Sequence, residues 1–64
     1  MEFIIEQLVK EFNLKLSQVN NVIDMLNEGC TVPFIARYRK ERTEGMDDIV
    51  LRDFHERLAY LTSL

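Results

Sequence analysis

Apolar residues return at three- and four-residue steps along most of this 64-residue chain, and no run alternates apolar and polar with a period of two. That spacing predicts helices and no sheet. Ile4, Ile5, Leu8, Val9 and Phe12 form a first stripe, the mark of a helix with one buried face. Asn13 interrupts it, and Ser17 is placed to cap a second helix through its hydroxyl. Val19, Val22, Ile23 and Leu26 repeat the pattern, and Gly29 supplies a left-handed exit residue. Pro33 is excluded from a helix interior but suits a first turn, so a short third helix is expected from there to about Arg42. Gly45 closes the next loop and Asp47 caps a fourth helix. There Leu51, Phe54, Leu58 and Leu61 face inward, leaving Arg52, His55 and Glu56 outside. Asp48 and Arg52, and Asp53 and Arg57, stand four apart with the acid first, an order that adds ~0.3 kcal/mol per pair.

The expected fold is therefore all-α: a small bundle of about four helices, helix-turn-helix-like, spanning residues 1–64 as one domain. The apolar rhythm still runs at Leu64 with no stop signal, as expected of an N-terminal fragment truncated at its C-terminus. A chain this short buries only about 60% of the surface its unfolded form exposes, so its stability is expected to be marginal. Hydrophobic residues at 47% and charged residues at 30% suit a globular domain rather than a disordered tail.

Charge changes the picture through its distribution. The net charge is -3, which by itself attracts neither phosphate nor an anionic membrane. Residues 1–28 carry five acids and two bases, residues 29–45 carry two acids and four bases, and residues 46–64 carry four acids and two bases. All the positive excess thus lies in one central segment, TVPFIARYRKERTEG, from Thr31 to Gly45. Cys30 is the single cysteine, so no intrachain disulfide forms and a reducing compartment fits. Met1 is followed at once by Glu2 with no basic leader and apolar run. No apolar stretch approaches the roughly 20 residues that span a bilayer. A cytoplasmic location and no membrane partner are the expectations.

A short turn containing Gly29 joins the second and third helices, the outline of a helix-turn-helix. In that motif the first residues of the second helix meet base edges. Here they are Pro33, Phe34 and Ile35, whose side chains offer no hydrogen bonds, so sequence-specific readout is not expected. On a helical wheel Phe34, Ile35 and Tyr38 share one side, expected to face the core. Arg37, Arg39 and Lys40 fan across the other around Ala36, with Arg42 at the helix end. Four phosphate contacts from these bases would give a salt slope near about -3.6. A second account stands beside this one. Cations are favoured near a helix C-terminus by roughly 0.3–1 kcal/mol, and these bases can also pair with the acidic first and fourth helices or dock another domain.

Other chemistry is weaker in the sequence. His55 is the sole histidine and lacks the second histidine of a zinc helix. Cys30 has no histidine near it and is expected to be a buried, inert thiol. Asp47 and Asp48 sit where helix caps belong. The three methionines are scattered, and the two glycines are too far apart for a phosphate loop. No cofactor, metal, small-molecule substrate or enzymatic role is expected.

EGCTVPFIARYRKERTEGMDD, Glu28 to Asp48, closely resembles the signature of the Tex family of bacterial transcription accessory proteins. TVPFIARYRKE is its most specific part. QVNNVIDMLNEG before it and LRDFHERLAYL after it are also similar to that family's N-terminal region, so the resemblance covers nearly the whole chain. Cys30 departs from the small residue often found there, and Arg42 stands at a position expected to vary. The resemblance implies a much longer parent, with an inactive nuclease-like domain, helix-hairpin-helix elements and a C-terminal oligonucleotide-binding barrel. It implies nucleic-acid binding, RNA especially, centred on that barrel. Two roles remain open for this part: non-specific backbone contact through Arg37, Arg39, Lys40 and Arg42, or a structural or protein-interaction module. Implied partners are RNA or DNA, the remaining domains of the parent, and the transcription machinery.

Overall fold

Residues 2–63, the part that the computed structural model describes, form α1 (Glu2–Phe12), α2 (Leu16–Asn27), α3 (Val32–Tyr38), α4 (Lys40–Thr43) and α5 (Asp48–Thr62). No strand occurs among these residues. α1 lies against α2 and α5, α2 also meets α3 and α4, and α3 packs on α4 and α5.

Helix ends are closed by local chemistry. α1 exits through Asn13 at φ 53° and α2 through Gly29 at φ 97°. After each, a backbone bond reaches back five residues: Leu14 N–H to the Val9 carbonyl at 3.1 Å, and Cys30 N–H to the Met25 carbonyl at 3.0 Å. Those bonds satisfy carbonyls that the helix itself leaves open. Asp47 caps α5 as its position predicts, its carboxylate accepting the Val50 N–H at 2.8 Å. Thr31 does the same for α3, with its hydroxyl accepting the Phe34 N–H at 3.3 Å and Pro33 in the first turn.

Ser17 is not the cap of α2. The helix begins at Leu16 with extended Lys15 at the cap position, and Gln18 Oε1 accepts the Lys15 backbone N–H at 2.9 Å. Ser17 lies inside the first turn, and its hydroxyl donates to Glu44 at 3.0 Å. Lys15 Nζ reaches the other oxygen of the same carboxylate at 3.1 Å. A long-range contact has replaced the local one.

The interior is Leu8, Val19, Val22, Ile23, Met25, Ile35, Met46, Leu51 and Phe54. Phe12 leans on Phe54, with ring centroids 5.7 Å apart, a tilted packing that adds to simple burial. Leu26, Leu58 and Leu61 of the expected stripes are half-buried around this core. Met25 and Met46 fill it, as suits a flexible side chain in irregular gaps.

The third helix does not run to Arg42. It stops at Tyr38, and Arg39 takes φ -127° and ψ 34°, outside helical geometry. Arg39 still donates its N–H to the Ile35 carbonyl at 3.0 Å, then accepts from Arg42 and Thr43 at 3.1 and 3.2 Å to start α4. The bend delivers Thr43 into the interior, where it is fully buried. Its hydroxyl donates to the Lys40 carbonyl at 3.1 Å. α4 then exits through Glu44 at φ 54°, a costly conformation for a non-glycine residue. The Lys15 and Ser17 contacts on the Glu44 carboxylate hold it there.

Neither expected pair within α5 closes to ion-pair distance. Arg57 turns to α1 instead and grips Glu11 with two bonds, Nε to Oε1 at 2.7 Å and Nη2 to Oε2 at 2.8 Å. This fork matches the planar shapes of both groups. Gln7 donates to the same carboxylate at 2.7 Å. The Arg57 bonds, then Gln7, hold the Glu11 carboxyl below its ordinary range.

Candidate nucleic-acid interface

The basic segment is positioned by α2. Gln18 Nε2 donates to the Thr43 carbonyl at 2.8 Å and Asn21 Nδ2 to the Arg42 carbonyl at 3.0 Å. These are the open carbonyls at the end of α4, which a four-residue helix cannot satisfy for itself. α2 thus fixes the end of α4 with two polar side chains while burying its own apolar face on α1. Gln18 and Asn21 are unremarkable in the sequence. Their three-residue spacing on the polar side of α2 is the only signal, and it is common to any solvated helix face.

Arg37, Arg39, Lys40 and Arg42 are all exposed, and none has an ion-pair partner among the described residues. The alternative in which they pair with acids of α1 or α5, the helix expected as the fourth, is therefore not met: Lys15 and Arg57 hold the carboxylates of Glu44 and Glu11. All four line one shallow depression of about 570 Å³, together with Tyr38 and Glu41. Four cations face a single acid there.

The two rings do not turn inward. Tyr38 is 61% exposed and Phe34 38%, while Ile35 is fully buried. The inward stripe of α3 is Val32, Ile35 and Ala36, which places Ala36 against the core rather than at the centre of a basic ring. Seven residues make only two turns, so several faces satisfy the spacing, and the packing partners choose among them. The branched Ile35 fills the core position, and the rings remain outside. They meet each other at i and i+4 with centroids 5.2 Å apart. The Arg39 guanidinium lies 5.0 Å over Phe34 and that of Arg37 5.9 Å from the Tyr38 centroid, both within cation–π range. Arg39 also donates to the Tyr38 carbonyl at 3.2 Å.

A second cleft, of about 630 Å³, opens between α3 and the start of α5. Val32, Pro33, Ala36 and Met46 give it an apolar lining, and Arg37, Lys40, Arg52, Asp47 and Asp48 add charges of both signs. Cys30 carries a free, half-buried thiol rather than a fully buried one, and His55 is exposed on α5. Among the described residues no group of three or more His, Cys, Asp or Glu could hold a metal ion. No helix among them is long and apolar enough to cross a membrane.

This small all-α domain, with its basic, aromatic limb, belongs to a recognised class. Residues 2–64 match the family described as the Tex-like protein N-terminal domain. The chain is a member of that family. It is 53% identical to "Protein tex" of Bordetella pertussis over 58 residues, 91% of this chain and 7% of that protein. It is also 53% identical to the "Transcriptional accessory protein Tex" of Neisseria gonorrhoeae over 57 residues, 89% of this chain and 8% of the relative. "Protein YhgF" of Escherichia coli is 52% identical over 54 residues, 84% of this chain and 7% of its own length. The chain thus spans less than a tenth of each of these relatives. No solved structure matches it significantly.

Proposed function

We propose that this domain is a non-catalytic module of a cytoplasmic, nucleic-acid-binding transcription accessory protein, in which it assists non-specific contact with the phosphate backbone of RNA or DNA. One observation carries this: Arg37, Arg39, Lys40 and Arg42 line the same depression, with no carboxylate paired to any of them. Free guanidinium forks and an ammonium head are the groups that meet phosphate oxygens by charge-assisted bonds. Backbone contacts of this kind position a nucleic acid without reading its sequence. The remaining domains of the parent and the transcription machinery are the other partners in this reading. No reaction is assigned to Cys30 or His55, which lie on separate elements.

The test is a triple charge reversal, Arg37→Glu, Arg39→Glu and Lys40→Glu, in the intact protein, with RNA and DNA affinity measured across a salt series. Losing three phosphate contacts should flatten the salt slope by about 2.7 for a duplex and about 2.1 for a single strand. An unchanged affinity and slope would sink the proposal. A second reading, a structural or protein-interaction module, has the mixed-charge apolar cleft between α3 and α5 in its favour. It expects the same variant to loosen domain packing while leaving nucleic-acid affinity alone.

A further inference from the structure

Resting on that backbone-contact reading, we infer that Tyr38 and Phe34 form a stacking platform for the unpaired bases of a single-stranded nucleic acid, a base taking the ring face that Arg37 or Arg39 now overlies and the displaced guanidinium meeting the adjoining phosphate. The rings are the observation that charge alone leaves unexplained. Phe3 and Tyr60 are exposed as well, but Phe34, 38% exposed, and Tyr38, 61%, are the two rings outside the core that touch each other, whereas Phe12 and Phe54 pack in and around it. Exposing apolar ring surface costs about 25 cal/mol for each Å² left in water, so the arrangement works against stability. Each ring has a guanidinium within cation–π range, which sets positive charge at the level of the ring faces. Flat apolar surface overlain by mobile cations complements a polymer of flat bases joined by phosphates. Bases inside a duplex have their faces covered, so a platform of this kind selects single strands. Base identity contributes little, because every base has a π face. This agrees with a helix whose first residues carry no hydrogen-bonding side chains.

The experiment compares three forms of the intact protein: wild type, the double variant Phe34→Leu with Tyr38→Leu, and the charge reversal described above. Each is titrated with a fluorescent oligouridine and with a blunt DNA duplex across a salt series. The double variant should bind oligouridine about tenfold more weakly, with the wild-type salt slope and a smaller loss for the duplex, while Tyr38→Phe, which keeps the ring, restores oligouridine binding. Both rings are exposed, so these changes spare the core, and circular dichroism checks the helices. A second measurement needs no variant: irradiated 5-bromouridine oligonucleotide should crosslink to the peptide carrying Phe34 and Tyr38. Wild-type affinity in the double variant, with loss only on charge reversal, would overturn stacking and leave phosphate contact standing. No effect from either would overturn both. Crosslinks confined to other peptides, or a ring-dependent affinity for an acidic peptide without one for oligouridine, would also overturn the platform.

Discussion

α5 runs for 15 residues and buries Leu51 and Phe54, whereas α3 runs for seven and buries Ile35 alone. The difference separates a body from a limb. In α1, α2 and α5 each apolar stripe is long enough to orient its helix, and hydrophobic burial suffices to hold it. In α3 and α4 less apolar surface is buried: Ile35, with Val32 and Ala36, seats α3, and polar contacts from α2 fix the end of α4. The cations follow that division only in part, since Lys10 and Arg52 of the body also lack an ion-pair partner among the described residues. Arg57 of the body is held in a fork by Glu11, while the four cations of the limb have no such partner among the described residues.

Breaking the body should cost most. Phe54→Ala removes a fully buried ring that also packs on Phe12, a change that typically costs about 3–5 kcal/mol. At roughly 0.05–0.15 kcal/mol per residue, that approaches the whole stability of a chain this size. Thermal unfolding followed by circular dichroism should show most of the helix lost at room temperature. A cooperative melt near that of the wild type would mean that the core does not depend on this ring.

Loosening the limb should cost less and act locally. Asn21→Ala removes one bond to an α4 carbonyl, worth about 1 kcal/mol, and Gln18→Ala removes another together with the Lys15 N–H bond that closes the start of α2. Hydrogen exchange should quicken at the α4 amides and stay slow in α1 and α5. Uniform quickening would instead make the limb part of the same cooperative unit as the body. If the basic depression works as proposed, nucleic-acid affinity should fall in these variants although no cation is touched.

The smallest effect expected is that of pH. Arg57 and Gln7 hold Glu11 below its ordinary pKa, and Lys15 and Ser17 hold Glu44 below its own. A lowered carboxylate stabilises the fold above the unfolded pKa, about 4.5, and that contribution disappears as pH falls through the depressed folded value. Glu11→Gln should therefore lower the urea midpoint at pH 7 and converge with the wild type in acid. A constant gap between the two proteins would show that the fork has no linkage to folding. Glu44→Gln should act in the same direction and add local motion in α4.

Much of the body was legible in the residue order. The stripes of α1, α2 and α5, the left-handed exit at Gly29, the cap at Asp47 and the turn at Pro33 each rest on interactions among neighbours a few residues apart. The limb was legible only in part. Its helical start and its basic character followed from Pro33 and from the run Arg37 to Arg42. The bend at Arg39 and the outward rings did not, because both depend on what stands opposite.

Helix type, approximate ends and the clustering of charge in one segment were set by local sequence, since a turn of helix and its caps close within about five residues. Tertiary structure alone decided which side of α3 faces the core, where the third helix breaks, and which carboxylates take a cation. Those choices are made by groups distant in the chain: Gln18 and Asn21 against α4, Glu44 against Lys15 and Ser17, Glu11 against Arg57. A two-turn helix has several nearly equivalent faces, and the energy that distinguishes them resides in its neighbours.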